Sequence, residues 1–278
     1  MPSRFLAGPE PDPIAQRSDR LFRLFGFYLR WRFGRHFHAV RLSGTDPAAI
    51  PADRPVVMFS NHPSWWDPAA YILLADRCFP GRPGFGPMDQ DALGRYGFFR
   101  RLGIFGIDKN SAAGARRFLL VARRVLGEAR GPGGRAMMWI TAEGDFTDPR
   151  RRPVRLRPGI AHLAASIPDA LMLPLAMEYV FWNESRPELL LRLGPPIDAA
   201  NGGRAADWSP ILEQALGDAM DALANDAVQR DPAAFSTLNN GASGAGWVYD
   251  QWRRLRAIGS GRRFDPSHGG HSQTGARS

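Results

Sequence analysis

Residues 55–78 have the sequence PVVMFSNHPSWWDPAAYILLADRC, in which a short apolar run is followed by an amphipathic one. The run 55–60 predicts a buried strand, and the pattern over 67–78 predicts a helix with Asp67 as its cap and Pro68 in its first turn. Pro63 disfavours helical backbone at His62, so we expect the imidazole at the carboxyl end of the strand. Open α/β sheets build their sites at this edge.

Strands and helices alternate along the rest of the chain. The same patterns predict strands over 103–107, 136–141, 171–181 and 188–194, and helices over 111–129, 159–166 and 208–230. This alternation predicts an α/β fold with a layered domain over residues 40–235. Residues 236–278 are rich in Gly, Ser, Asn, His and Arg, and we expect them to form a tail in which 247–256 is a candidate docking helix.

The N-terminal segment, residues 1–39, is predicted to be irregular at first and then to form a basic, aromatic helix over 17–33. A helical projection places two sets of side chains on opposite faces: Arg17, Arg20, Arg23 and Arg30 on one, and Leu21, Phe22, Phe25, Leu29 and Phe33 on the other. We expect this helix to lie in an anionic membrane surface with its apolar face among acyl chains and with Tyr28 and Trp31 as anchors. An ordinary helix that packs on the core is the alternative.

The composition points to an anionic partner. Lys and Arg number 36 against 27 Asp and Glu, which gives a formal charge of +9. Lipid headgroups, phosphorylated substrates, an acidic carrier protein and nucleic acid all fit this charge. Nucleic acid is the weakest choice, because no recognisable motif is present and the aromatic residues cluster with apolar ones.

The sequence also bears on location. No apolar run reaches the roughly 18 residues of a spanning helix, and residues 1–20 lack the apolar region of a signal peptide. A single cysteine, Cys78, suits a reducing cytosol.

The residues that can carry chemistry follow the predicted strands. A carboxylate at Asp67 can hold one nitrogen of His62 protonated and leave the other as a proton acceptor, which makes the pair a candidate general base. The pair Glu143-Gly144 follows the strand over 136–141, and Lys109 follows the strand over 103–107. We therefore expect all of them at one edge of the sheet. His36 and His38 have no carboxylate or thiolate companions, so no metal site is expected.

Five blocks in this order resemble the glycerolipid acyltransferase family of the lysophosphatidate acyltransferase type. They are NHPSWWDP (61–68), YGFFRRLGIFGIDK (96–109), AEGDF (142–146), RLRPGIAHLA (155–164) and LMLPLAM (171–177). The first block matches the family's N-H-x4-D motif, and the resemblance covers about residues 40–200. It implies an α/β/α domain with a mixed, mainly parallel central sheet.

The resemblance also implies a reaction and its residues. His62, oriented by Asp67, would take the proton from a lipid hydroxyl that attacks the thioester of acyl-CoA or acyl carrier protein. Asn61, Lys109, Glu143, Gly144 and Arg157 would bind substrate, and backbone amides near the Glu-Gly block would stabilise the oxyanion. The implied enzyme needs no metal or other cofactor and works peripherally on the cytoplasmic side of the inner membrane.

Two departures from the family bear on the acceptor. Ala142, Asp145 and Phe146 stand where the family has Pro, Thr and Arg, and Lys109 stands where it has Arg. A bidentate cation is lost and an anion gained, which favours an acceptor without phosphate, such as a glycolipid or an aminolipid. Two alternatives remain: a lysophosphatidate acyltransferase in which one of the arginines at 150, 151, 152, 155 or 157 replaces the missing cation, and a catalytically inactive basic protein of the membrane surface.

Overall fold

The computed structural model describes residues 12–241. The docking helix expected over 247–256, and all of the expected tail beyond residue 241, lie outside the described residues.

A mixed sheet forms the centre of the fold. Its strands, together with a small hairpin, are β1 (Ala39–Gly44), β2 (Val56–Ser60), β3 (Gly84–Asp89), β4 (Ile104–Ile107), β5 (Arg130–Gly131), β6 (Gly134–Arg135), β7 (Met137–Thr141), β8 (Leu171–Val180), β9 (Glu188–Leu193), β10 (Ile197–Asp198) and β11 (Ser236–Asn240). The strand order is β11-β1-β9-β8-β2-β7-β3-β4, with β10 beside β8 and with β5 and β6 pairing apart from the sheet. The strand β2 lies between β7 and β8 and is parallel to both.

Helices cover both faces of the sheet. They are α1 (Pro13–Gln16), α2 (Asp19–His36), α3 (Asp67–Cys78), α4 (Gln90–Arg95), α5 (Ala112–Glu128), α6 (Gly159–Ser166) and α7 (Ala205–Gln229), with 3-10 turns at Pro47–Ala49, Gly97–Leu102, Ala199–Asn201 and Pro232–Ala234. One apolar cluster joins α5, α6 and α7 to one face of the sheet, and a second joins α2 and α3 to the other. This confirms the predicted layered α/β fold with a mixed, mainly parallel sheet.

The predicted helices and strands match the observed ones to within one to three residues at their ends. Six strands have no counterpart among the predictions, namely β1, β3, β5, β6, β10 and β11. The last of these corrects the expected tail, because Ser236–Asn240 pairs antiparallel with β1 and buries Leu238. The backbone hydrogen bonds of an edge strand stabilise a segment that is too polar to form a core of its own.

Asp67 does not cap α3 as predicted. Trp66 occupies the cap position without a side-chain hydrogen bond, and Asp67 is the first residue of the helix. Its carboxylate turns back towards the loop that precedes the helix, where it accepts a hydrogen bond from the backbone N–H of Ser64. Aspartate favours helix starts, but the side chain of Asp67 bonds to the loop of the candidate site and does not cap the helix.

The helix α2 forms as predicted, but its apolar face packs on the protein. Phe22, Leu29 and Phe33 are buried in the cluster that joins α2 and α3 to the sheet, with Leu21 and Phe25 partly buried beside them. The expectation that this face enters a membrane is therefore wrong, because the sheet and α3 already cover it. A different face of the helix is exposed, and it carries Leu24, Phe27, Tyr28 and Trp31.

Candidate active site

His62 and Asp67 meet at the carboxyl end of β2, as predicted. Nδ1 of His62 lies 2.7 Å from Oδ2 of Asp67. Asp67 is completely buried, whereas 16% of the His62 side chain is exposed. Because Asp67 occupies Nδ1, the other nitrogen, Nε2, is the one that can exchange a proton with a bound molecule. Among residues 12–241 no hydrogen bond to Nε2 is found.

Two further donors satisfy the buried carboxylate of Asp67. The backbone N–H of Ser64 donates to Oδ2 at 3.1 Å, and the hydroxyl of Tyr179 donates to Oδ1 at 2.7 Å. A buried carboxylate without such donors would be costly in free energy. The carboxylate of Asp67 is thus held by groups from the β2–α3 loop and from β8.

Asn61 fastens β2 to β8. It is fully buried, its amide Nδ2 donates to the carbonyl of Met177 at 2.9 Å, and its Oδ1 accepts from the N–H of Met177 at 2.9 Å. The side chain imitates a backbone unit and continues the pairing of the two strands beyond the end of β2. Asn61 therefore positions the strand end and is closed off from solvent, contrary to the substrate contact expected of it.

Glu143 fixes the backbone of His62. Its Oε2 accepts the N–H of His62 at 2.8 Å, across the gap between the ends of β2 and β7. Burial of the carboxylate is the main reason that the pKa of Glu143 is raised above its usual value, and the hydrogen bond from His62 opposes that shift. The Glu143 that was expected to bind substrate thus lies at the predicted edge, in contact with the main chain of His62.

Lys109 and Arg157 converge on a carboxylate next to Glu143. Nζ of Lys109 lies 3.0 Å from one oxygen of Asp145, and a terminal nitrogen of Arg157 lies 2.7 Å from the other. These two hydrogen bonds hold the pKa of Asp145 below its usual value. Gly144 makes the arrangement feasible, because its φ of +82° suits glycine and a Cβ there would stand 2.6 Å from Nε of Arg157.

Three other arginines of the 150–155 loop have carboxylate partners of their own. Arg150 pairs with Asp148, Arg152 with Asp221, and Arg155 with Glu213. Arg157 is therefore the arginine that takes a place beside the Glu-Gly turn. The neighbouring Phe146 packs its ring against His62, with ring centroids 4.4 Å apart.

Sequence reasoning missed three contributors to the site: the clamp made by Asn61, the hydroxyl of Tyr179 and the ring of Phe146. Tyr179 lies 112 residues from Asp67 along the chain, so its role depends on the pairing of β8 with β2. The alternation of side chains along β8, which sets Met177 and Tyr179 on one face, is the signal that points to it once that pairing is known.

No metal site is evident in the described part of the chain, where no group of three or more His, Cys, Asp or Glu side chains lies close enough together to hold an ion. Nor does any described helix have the length and apolar character needed to cross a bilayer.

Both a family model and a solved structure are similar to this chain. A family model described as Acyltransferase matches residues 41–178, which contain every residue of the site named above except Tyr179. The fold is similar to that of PlsC from Thermotoga maritima, a 1-acyl-sn-glycerophosphate (LPA) acyltransferase, with a TM-score of 0.51 and 15% identity over 74% of this chain and 79% of that one. No curated protein sequence matches this chain. By its match over the strands, helices and loops that form the site, the chain belongs to the acyltransferase family.

Proposed function

We propose that this protein transfers a fatty acyl group from the thioester of acyl-CoA or acyl carrier protein to a hydroxyl of a lipid in lipid synthesis. The observation that carries the proposal is the pair His62 and Asp67, with the carboxylate bound to Nδ1 and with Nε2 left available on a partly exposed ring. A neutral imidazole held in this tautomer is a general base. Because the pair lies in the segment that the acyltransferase family model matches, we assign acyl transfer to this base.

In the proposed reaction His62 acts first as a base and then as an acid. Nε2 of His62 takes the proton of the acceptor hydroxyl while its oxygen bonds to the thioester carbonyl. The tetrahedral oxyanion then collapses, the C–S bond breaks, and the imidazolium returns the proton to the departing thiolate. Asp67 stays ionised and stabilises the imidazolium, and no acyl-enzyme forms. A base positioned in this way accounts for about 10²–10⁴-fold of the rate.

We further propose that the acceptor carries no phosphate at the position read by Lys109 and Arg157. Asp145 already forms an ion pair with each of the two cations, at 3.0 and 2.7 Å. A phosphate monoester would have to displace this carboxylate and then remain close to its negative charge. An uncharged sugar or a zwitterionic headgroup needs neither step. Lysophosphatidate as acceptor is the alternative, and it requires Asp145 to move aside.

The first test is thiol release from acyl-CoA by the purified protein with a panel of acceptors: lysophosphatidic acid, other lysophospholipids, glycolipids and aminolipids. Acylated carrier protein is tested as donor in parallel. We expect His62→Ala to lower turnover by about 10²–10⁴-fold. His162→Ala is the control, because that histidine is exposed on α6 and takes no part in the dyad.

Each outcome decides a different point. If wild-type protein releases no thiol with any pair of substrates, the reading as an inactive membrane-surface protein is correct. If His62→Ala keeps the parent rate, the base has been misassigned. If lysophosphatidic acid is acylated as fast as the best of the other lipids, the proposal of an acceptor without phosphate is lost.

We also propose that an exposed aromatic surface docks the protein on an anionic membrane. This surface, here called the aromatic patch, consists of Leu24, Phe27, Tyr28, Trp31, Tyr96 and Phe98, which are between 44% and 64% exposed. Phe25 joins its two parts, since its ring centroid lies 5.6 Å from that of Tyr28 and 5.5 Å from that of Phe98. Apolar side chains in a contiguous exposed group mark an interaction surface.

Cationic side chains border the aromatic patch. Arg20, Arg23 and Arg35 are exposed on α2, and Arg95 and Arg101 are exposed around the 3-10 turn. The guanidinium of Arg35 lies 5.3 Å from the ring of Trp31. A surface with an apolar centre and a basic border suits acyl chains below anionic headgroups. The C-terminal end of α2 contacts Trp66, which follows the catalytic loop, so docking would bring that loop to the lipid.

Sedimentation with vesicles tests this surface. The double variant Leu24→Ser with Phe27→Ser is expected to bind vesicles of anionic lipid at least tenfold more weakly, because burying each of the two side chains contributes about 1.5–3 kcal/mol. Leu120→Ser is the matched control, since Leu120 is 68% exposed on α5 against 64% for Leu24. The assignment is wrong if both variants lose the same amount of vesicle affinity. It is also wrong if vesicle binding does not depend on the lipid charge and the salt concentration.

A further inference from the structure

The carboxyl end of β8 brings a tyrosine hydroxyl to the catalytic carboxylate. The hydroxyl of Tyr179 lies 2.7 Å from Oδ1 of Asp67, while Oδ2 of the same carboxylate faces His62. The ring of Tyr179 packs against that of Phe37 at a centroid distance of 5.9 Å. Its position suggests a role that is exerted through Asp67.

The two oxygens of Asp67 have different surroundings. Oδ2 has two neighbours, Nδ1 of His62 and the N–H of Ser64, and within residues 12–241 Tyr179 is the donor found for Oδ1. A buried carboxylate needs donors on both oxygens to stay ionised, and it needs a fixed rotation to direct one of them at the imidazole. The hydroxyl of Tyr179 meets both needs.

The separation between Tyr179 and the dyad is set by the strand pairing. Asn61, next to His62, is bonded through its amide to both backbone groups of Met177, two residues before Tyr179. Since alternate residues of a strand share a face, Met177 and Tyr179 lie on the same side of β8. The clamp therefore fixes the tyrosine relative to the strand that carries His62.

We propose that Tyr179 is a positioning residue of the acyl-transfer site, which donates to Oδ1 of Asp67 and so holds the carboxylate ionised and turned towards His62. This inference rests on the proposed function. Tyr179 does not touch the reacting atoms. Burial and the nearby Asp67 carboxylate raise the pKa of Tyr179 well above its usual value, so the hydroxyl remains a donor throughout the working pH range.

The test is Tyr179→Phe, which keeps the ring and removes the hydroxyl. We expect kcat to fall about tenfold, which corresponds to about 1.4 kcal/mol, with the KM of both substrates within about twofold. The acidic limb of kcat/KM against pH should move to higher pH, because a carboxylate that has lost one donor holds the imidazolium proton more tightly. The charged groups that act on His62, Asp67 from α3 and Glu143 after β7, are unchanged in this variant.

Tyr71→Phe is the control. Tyr71 is buried, and its hydroxyl donates to the carbonyl of Ile140 at 3.0 Å, so the variant loses a tyrosine hydrogen bond in which Asp67 takes no part. A purely structural role for Tyr179 would lower the melting temperature of both variants and leave the pH profile of both unchanged. If Tyr179→Phe does not fold, 3-fluorotyrosine at position 179 replaces it; this group is a stronger donor and should move the acidic limb in the opposite direction.

The inference is wrong if Tyr179→Phe keeps kcat within twofold with an unmoved acidic limb, or if Tyr71→Phe changes kinetics to the same degree. That failure differs from failure of the proposed function, in which wild-type protein shows no turnover that depends on His62. Normal turnover of the wild type, with the expected change confined to position 179, supports both.

Discussion

The carboxylate of Asp145 offers the most direct test of acceptor selection. It stands between Lys109 and Arg157, and the side chains of the three residues are 62%, 41% and 53% exposed. Asp145→Asn removes the charge and keeps the shape of the side chain. Both cations then become available to an incoming anion, and we expect lysophosphatidic acid to become a better acceptor.

The size of the effect follows from Coulomb's law. A carboxylate and a phosphate charge about 5 Å apart repel by about 1 kcal/mol in bulk water and by about 3 kcal/mol at an effective dielectric constant of about 20. Because these side chains are about half exposed, the lower end of that range applies. A gain of about 1–1.5 kcal/mol corresponds to a 5- to 10-fold lower KM for lysophosphatidic acid.

Steady-state acylation of lysophosphatidic acid and of an uncharged acceptor, at low and at high salt, measures this effect. Asp148→Asn is the matched control, since Asp148 is an exposed carboxylate of the same loop that pairs with Arg150. The KM of the phosphate acceptor should fall in Asp145→Asn alone, and the gain should shrink as salt is added. An equal change for the uncharged acceptor, or the same change in Asp148→Asn, would refute the reasoning.

Three further predictions concern stability. Asn61→Ala removes two buried hydrogen bonds to the backbone of β8, and urea unfolding should show a loss of about 2–4 kcal/mol. Gly144→Ala forces a side chain into a left-handed conformation at φ +82° and should cost about 1–2 kcal/mol in the same assay, whereas Gly94→Ala, where a Cβ has open space, should cost nothing measurable. Arg54 lowers the pKa of Asp198 from 3.8 to about 2, so the pair stabilises the fold above pH 3.8 and this contribution is lost as the pH falls towards 2. The difference in melting temperature between wild type and Asp198→Asn should therefore shrink as the pH is lowered from 5 to 3.

The sequence was sufficient to predict the core of the site because that core depends on local patterns. The short distance from His62 to Asp67, the proline between them and the apolar run of β2 together predict a histidine at a strand end beside a carboxylate. The predicted convergence of Lys109 and Glu143 near His62 needed one more assumption, that strands of an α/β sheet end at a common edge, whereas Arg157 was expected there only from the family resemblance. Both expectations agree with the observed geometry.

What the sequence did not predict depends on pairing between distant segments. The roles of Asn61 and Tyr179 require β8 to lie beside β2, and the strand β11 requires an edge at β1 to pair with. The wrong assignment of the apolar face of α2 has the same origin. Hydrophobicity alone does not distinguish a membrane from a protein core as the surroundings of Phe22, Leu29 and Phe33. In the folded protein they pack in the core.

The two halves of the site differ in how strongly the fold determines them. Asp67 and Asn61 are fully buried and hydrogen-bonded within the protein, so the loss of a partner leaves a buried polar group unsatisfied at a cost of about 1–3 kcal/mol. Lys109, Asp145 and Arg157 are exposed, and ion pairs of that kind contribute about 0–1 kcal/mol each. Substitutions of these three residues therefore cost the fold little, whereas substitutions of Asp67, Asn61 or their hydrogen-bond partners threaten it. Under the proposed function, the choice of acceptor can change by single replacements around Asp145 while the proposed base at His62 stays fixed.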